Sequence, residues 1–186
     1  MTLILGIDIA TTTGCALYDP AKNISAIDAW SFKVKGESHE QKAYDMGLRI
    51  IEILKEKRPT FVALEAPKKN LITHRKTVQT LVGDHDEAAM NPASVILPNQ
   101  LTGAVLAVLA GFGLPFCTIP DSTWRKQFLG FGRKPGWQSA DWKRASRDRC
   151  DQLGVHVTNN DQSDAVGVAF AAPSHEAFKM MTRNAA

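Results

Sequence analysis

The sequence predicts an α/β protein with a mixed β-sheet, in which a three-strand antiparallel meander precedes parallel strands flanked by helices. Three observations predict this class. Up to Val34 the chain holds three short runs rich in apolar and β-branched residues, separated by turn residues. Two later apolar runs alternate with segments of helical periodicity. With 186 residues, 44% of them hydrophobic, we expect a single domain over 1–186 with its own core.

The individual elements follow from apolar periodicity and from the residues that interrupt it. The predicted strands cover residues 3–9, 15–18, 24–34, 61–65 and 115–119, with a turn at 11–14. The predicted helices cover residues 39–57, 99–112, 121–128, 140–153 and 160–173. Pro59 ends the first helix, and Gly111 and Gly113 end the second. The segment 66–95 is polar and without clear periodicity, so we expect an extended basic and polar loop there, of the kind that often carries function.

Charge is distributed unevenly along the chain. The net charge is only +3, but residues 67–77 contain four basic residues and no acidic one. Residues 121–150 contain eight basic and three acidic residues. Clustered basic segments are the electrostatic pattern expected for a polyanionic partner, although solvated helix faces produce the same pattern.

Several classes of protein are disfavoured by the composition. Three widely separated cysteines form neither a disulfide framework nor a zinc motif. No apolar run reaches the roughly 18 residues needed to cross a bilayer, so no membrane partner is expected. The N-terminus reads as a strand and lacks the features of a signal peptide, so the expected compartment is the cytoplasm.

Four acidic residues lie in unusual positions. Asp8 interrupts a buried apolar strand, Glu65 ends another, and Asp161 and Asp164 are three residues apart in an otherwise small and apolar helix. A carboxylate in a buried strand is costly unless it is paired or binds a cation. Carboxylate clusters suit Mg²⁺, and two such ions can promote phosphodiester cleavage. Taken singly, Asp161 could instead be a helix cap and Glu65 could pair with Lys68.

The segments 6–14, 63–65 and 161–165 resemble the bacterial and phage RuvC-type Holliday junction resolvases. The resemblance implies an RNase H-like fold and a homodimer that nicks four-way DNA junctions with Mg²⁺ or Mn²⁺. It also implies that Asp8, Glu65, Asp161 and Asp164 are the catalytic, metal-binding carboxylates. Residues 100–103 and 120–132 extend the similarity, with Lys126 as the family's lysine. By the same resemblance, Lys143 would contact a DNA phosphate near the scissile bond.

One feature departs from that family, whose members often carry an aromatic residue shortly after the catalytic glutamate. Here no aromatic residue follows Glu65 until Phe112. Phe131 or Trp137, in a loop rich in glycine and proline, could stack on a base instead, or could simply anchor that loop on the core.

Basic residues on two flanks of the expected site are candidates for DNA binding. We expect them to follow the phosphate backbone. On one flank they are Lys68, Lys69, Arg75 and Lys76, and on the other they are Lys126, Lys143 and Arg144.

Three other functions compete with a junction resolvase. A related nuclease acting on replication forks or RNA–DNA hybrids would use the same acids. A non-catalytic junction-binding protein is disfavoured because all four positions are acidic. A phosphotransferase of the actin and sugar-kinase superfamily opens with a similar motif. That reading is disfavoured because such proteins have two domains, and Ile9-Ala10 lacks the glycine that lets backbone amides approach phosphate.

Overall fold

The computed structural model describes residues 2–67, 73–80, 83–90 and 93–184, with side chains for 2–67 and 95–184. The strands are β1 Ile4–Asp8, β2 Thr12–Tyr18, β3 Asp28–Lys33, β4 Phe61–Glu65, β5 Thr73–Thr80, β6 Gly83–Met90 and β7 Phe116–Ile119. The helices are α1 His39–Lys57, α2 Ala93–Gly111, α3 Asp121–Leu129, α4 Ser139–Gln152, α5 Asn160–Ala171 and α6 Glu176–Asn184. Among these described helices, none is long and apolar enough to cross a membrane.

Five strands form a mixed sheet in the order β3-β2-β1-β4-β7. Strands β1, β2 and β3 pair antiparallel, whereas β4 pairs parallel with both β1 and β7. The predicted meander and parallel strands are thereby confirmed. Because Ile7 pairs with Leu64 in the parallel register, the next residues, Asp8 and Glu65, lie side by side at the C-terminal ends of β1 and β4.

The sheet is covered by helices on both faces, which explains why β1 and β4 are continuous apolar runs. On one face Leu5 and Ile7 belong to the same buried cluster as Met46 of α1 and Leu101 of α2. On the other face Ile4 belongs to a second cluster that contains residues of α3, α4, α5 and α6. Alternate residues of one strand therefore enter different cores, and the strand ends are held rigidly between them.

The prediction of a turn at 11–14 was wrong, because β2 already begins at Thr12 and its Gly14 pairs with Asp8. The chain reverses one step earlier, where Thr13 Oγ1 donates a 2.7 Å hydrogen bond to the Ala10 carbonyl. The third strand is shorter than predicted because Ile24–Ala26 forms a single 3-10 turn capped by the Asn23 side chain.

The helix predicted to start at 99 begins at Ala93 and runs through Pro98. Proline normally disrupts a helix interior, which is why the prediction started after it. Two side chains near the proline satisfy backbone carbonyls. Asn99 donates to the Val95 carbonyl, and Thr102 donates to the Pro98 carbonyl at 2.8 Å.

Two elements escaped the sequence analysis. Within the expected loop 66–95, β5 and β6 pair antiparallel in a hairpin that runs from Thr73 opposite Met90 to Thr80 opposite Gly83. Their residues are mostly polar and lack the apolar alternation that identifies a half-buried strand. The terminal helix α6 was also missed, although its Phe178 is buried and packs edge-to-face on Phe61.

Candidate active site

Three of the four predicted acids line one cavity of about 320 Å³ at the sheet edge. Asp8 comes from the end of β1, Glu65 from the end of β4 and Asp164 from the second turn of α5. The cavity wall is completed by Ile9, Ala10, Ala66, Pro67, Val95, Pro98, Thr102, Arg125, Ser139 and Lys143. Carboxylates that are far apart in sequence are thus brought together by the sheet and one helix.

The position of α5 depends on two glycines in the sheet. A Cβ atom at Gly6 would lie 2.6 Å from the Ala165 carbonyl oxygen, and one at Gly14 would overlap the Asp161 carbonyl oxygen. Only residues without a side chain permit this approach of the helix backbone to β1 and β2. The close approach brings Asp164 towards Asp8.

The N-terminus of α5 is tied to β3 by polar side chains. Asn159 caps the helix by accepting a hydrogen bond from the Gln162 amide at 3.0 Å, and donates one to Ser31 Oγ at 2.8 Å. Gln162 in turn accepts a hydrogen bond from the Thr158 amide at 2.8 Å. These contacts fix the residue at which α5 begins and therefore where Asp161 and Asp164 lie.

The cavity is electrostatically unfavourable for its acids. Burial raises the pKa of Asp8 well above its ordinary value, and the charges of Glu65, Asp164 and Asp161 raise it further. Burial, followed by repulsion from Asp164, raises the pKa of Glu65 to about 7. The interaction between the two side chains raises the pKa of Asp8 and lowers that of Glu65, so it favours a proton on Asp8 and a negative charge on Glu65. A proton held on Asp8 would remove the repulsion between two bare charges.

Asp164 is also buried, but more of the groups around it favour its charged form. Burial raises its pKa to about 6, although Ser146, Arg125 and Lys143 each oppose the rise. The buried Ser146 hydroxyl is near enough to favour the charged form of Asp164, yet it makes no hydrogen bond of regular geometry. The contact between Ser146 and Asp164 is therefore weak.

Asp161 is the predicted acid that stands apart. It occupies the first turn of α5, half-buried, and does not line the cavity. Its charge is close enough to raise the pKa of both Asp8 and Asp164. Asp161 therefore lies at the rim of the same cluster.

Arg125 is the residue that the sequence analysis missed. Its guanidinium lines the cavity, pairs with Asp121 at 3.0 Å and lowers the pKa of both Glu65 and Asp164. The resemblance had pointed to the next residue, Lys126. On a helix, adjacent residues point about 100° apart, and Lys126 is exposed beside a separate surface depression. The spacing of Arg125 four residues after Asp121 was the available signal.

The remaining predicted DNA-binding residues are distributed around the cavity. Lys143 lines it, and Lys143 and Arg144 also line a neighbouring depression on α4. Arg75 and Lys76 lie in β5, where they pair with Ala88 and Glu87. Their side chains, together with Lys68 and Lys69, fall outside the described residues.

The loop between α3 and α4 folds into an aromatic cluster. Phe131, Trp137 and Trp142 pack with ring centroids 4.9–5.8 Å apart. Lys134 lies over Trp137 at 4.2 Å, and Arg125 lies over Trp142 at 4.8 Å. The two expected aromatic residues, Phe131 and Trp137, therefore pack together with Trp142, whose ring contacts Arg125 of the cavity wall.

The chemistry of the donor set fits a hard divalent cation, since three carboxylates line a single cavity. In the part of the chain that the structure describes, no group of three or more His, Cys, Asp or Glu side chains is already arranged to hold a metal ion. Burial and mutual repulsion explain why these carboxylates favour protons, and a divalent cation would relieve both effects.

The sheet order, the flanking helices and the position of the acids define the RNase H-like class of α/β fold. No family model matches the sequence, and no curated protein matches it either.

Solved structures with this fold are similar over almost the whole chain. Thermus thermophilus RuvC is 18% identical with a TM-score of 0.61, and the match covers 97% of each chain. The same protein in complex with Holliday junction substrate gives 15% identity and a TM-score of 0.63, covering 97% of this chain and 96% of the other. The yeast mitochondrial Holliday junction resolvase Ydc2 is 9% identical with a TM-score of 0.59, covering 98% of this chain and 84% of its own.

Proposed function

We propose that this protein is a divalent-metal-dependent endonuclease that cleaves branched DNA and resolves four-way Holliday junctions. The observation that carries the proposal is the cavity at the sheet edge, where Asp8, Glu65 and Asp164 meet with raised pKa values. Strongly perturbed acids in a cleft mark functional sites more often than structural ones. The fold shared with RuvC and the yeast resolvase makes junction DNA the first substrate to test.

Asp8, Glu65 and Asp164 would hold the metal, and Asp161 would complete the set from the rim. The oxygen-only donors favour Mg²⁺ or Mn²⁺. When bound, two such ions supply an activated water and stabilise the departing 3′ oxygen of a phosphodiester. Metal binding would favour the ionised forms of Asp8 and Glu65, because ligating carboxylates must be ionised.

The cations around the cavity would orient the DNA. Arg125 presents a planar guanidinium suited to a phosphate, and Lys143 also lines the cavity. Lys143 and Arg144 extend positive charge along α4, and Lys126 extends it along α3. The basic residues Lys68, Lys69, Arg75 and Lys76 remain candidates for the other flank.

A homodimer is the proposed active unit, since a four-way junction needs two nicks. Exposed apolar side chains on α1 and α2 support a surface for a second copy: Tyr44 is 70% exposed, Leu48 43% and Ile96 46%. In contrast Leu101, Val105 and Leu109 of α2 are buried in the core. The proposed compartment is the cytoplasm.

The deciding experiment compares cleavage of a labelled four-way junction, a linear duplex and an RNA–DNA hybrid, with Mg²⁺ and with chelator. We expect paired nicks in the junction that disappear with chelator and in Asp8→Asn and Asp164→Asn variants. Asp28→Asn, an exposed acid of β3 outside the cavity lining, is the matched control and should cleave normally. Cleavage of the hybrid alone would keep the site and change the substrate. Tight junction binding without any cleavage would favour a non-catalytic binding protein.

A further inference from the structure

The aromatic cluster formed by Phe131, Trp137 and Trp142 is poorly explained as core packing. All three side chains are only half-buried, and none belongs to the two buried clusters found among the described residues. Trp137 follows Gly136, whose positive φ of 79° turns the chain so that the indole packs back onto Phe131. The loop and the start of α4 therefore hold two tryptophans and a phenylalanine near the surface.

The cluster is continuous with the catalytic cavity. Ser139, two residues after Trp137, lines the cavity, and Arg125 lines it while lying over the Trp142 ring. Between Asp121 and Asp141 the chain contains no acidic residue but carries Arg125, Lys126, Arg133 and Lys134. A polyanion lying in the cavity would therefore find positive charge and aromatic rings together on this side.

From this arrangement we propose that the Trp137 indole is a stacking site for an unpaired nucleotide of the bound DNA. In the absence of DNA, the Lys134 ammonium covers the ring face on which the base would stack. The inference rests on the proposed function, because it specifies how DNA is held at that site. Lys134 Nζ now lies 4.2 Å from the centre of the Trp137 ring and 5.3 Å from that of Phe131. An incoming base takes the place of the ammonium on the indole face, and the displaced ammonium pairs with the adjoining phosphate.

Replacing the Lys134 ammonium by a base on the Trp137 ring is favourable because Trp137 and Lys134 each acquire a stronger contact. A base offers a whole aromatic ring to the indole, whereas an exposed ammonium contributes a weaker cation–π contact. The released Lys134 meets a phosphate, a stronger partner for an ammonium than an uncharged ring. An intact duplex offers no free base, so the site favours DNA with unpaired nucleotides, such as an opened junction.

The test measures dissociation constants in chelator, where cleavage is prevented, by anisotropy of labelled oligothymidylate, blunt duplex and four-way junction. Trp137→Leu keeps an apolar anchor but removes the aromatic face, and Trp137→Phe keeps both. Loss of one base stack predicts about tenfold weaker oligothymidylate and junction binding for the leucine variant. Binding of duplex should stay unchanged, and the phenylalanine variant should bind all three DNAs within about threefold of the original.

Trp30 supplies the matched control, because Lys57 lies over its ring at 5.2 Å and β3 holds it outside the cavity lining. Trp30→Leu should leave oligothymidylate binding unchanged. Quenching of tryptophan fluorescence by oligothymidylate should disappear in Trp137→Leu but persist in Trp30→Leu. Should Trp137→Leu fail to fold, Lys134→Gln serves instead. It should lower the slope of log Kd against log salt for oligothymidylate by about 0.7.

Equal oligothymidylate and junction affinities for Trp137→Leu and the original protein would overturn the inference, as would an unchanged salt slope in Lys134→Gln. Junction cleavage tells this failure apart from failure of the proposed function. If the original protein cleaves junctions while Trp137→Leu binds normally, only the stacking site is refuted. If oligothymidylate binding depends on Trp137 but nothing is cleaved, the stacking site stands and the nuclease proposal falls.

Discussion

Replacing Asp164 by asparagine should make the protein more stable at pH 8 in the presence of chelator. Burial raises the pKa of this acid from 3.8 to about 6 in the folded protein. An acid with a raised pKa destabilises the folded state once it ionises, because the unfolded chain holds the charge more easily. The penalty is absent below about pH 4, grows through the interval up to the folded pKa, and is complete above it.

The size of the effect follows from that shift. Each pKa unit corresponds to about 1.4 kcal/mol, so a rise from 3.8 to about 6 corresponds to roughly 3 kcal/mol at pH 8. The asparagine amide loses the favourable charge of Arg125 and Lys143, which reduces the gain. We expect an increase in the free energy of unfolding of about 1–3 kcal/mol at pH 8 and almost none at pH 4.

Urea denaturation at both pH values measures the difference. Asp148→Asn, on the exposed side of α4, is the control and should change stability by less than about 0.5 kcal/mol. Adding Mg²⁺ at pH 8 should stabilise the original protein by about 2.7 kcal/mol at 100 times its dissociation constant, and should stabilise Asp164→Asn much less. Equal destabilisation of Asp164→Asn at both pH values would refute the electrostatic reasoning.

Three further predictions follow from the geometry. Arg125→Ala should lower the cleavage rate roughly 100-fold because it removes one of the two cations that line the cavity. Lys126→Ala should lower the rate less than about tenfold, and single-turnover assays compare the two variants. Gly14→Ala should lower the free energy of unfolding in urea by about 2–4 kcal/mol, because the added Cβ would overlap the Asp161 carbonyl. Gly103→Ala, with open space around the added Cβ, should not destabilise α2. Lys143→Ala should reduce the salt dependence of junction binding by about one unit, measured by titration in chelator.

Much of the fold could be predicted because its elements carry local signals. The apolar runs at β1 and β4 and the helical periodicity of α1 mark elements buried on one or both sides. The hairpin of β5 and β6 gives no such signal, because its residues lack apolar alternation. The start of α2 was misplaced because local rules disfavour proline in a helix interior, whereas the helix in the structure runs through Pro98.

The acids that line the cavity could be singled out in the sequence for a different reason. Asp8 and Glu65 stand out because a charged residue in a buried strand demands an explanation, and that demand is visible in sequence. Arg125 does not stand out, since arginine on an amphipathic helix is ordinary. Its role depends on which face α3 turns to the sheet, which is decided by Trp124 and Phe128 packing into the core. Contacts of that kind are set by tertiary structure and have no local signature.

Gly6 and Gly14 connect the stability of this fold to its chemistry. Without side chains they let α5 approach the sheet, and the same approach forces Asp164 into the field of Asp8 and Glu65. A looser packing would let solvent screen these charges and lower the affinity for a cation. Arg125 and Lys143 offset only part of the repulsion, since the pKa of Asp164 remains raised. The residual repulsion is what a divalent ion would relieve, so the instability of the ion-free site and its proposed affinity for metal would have the same origin.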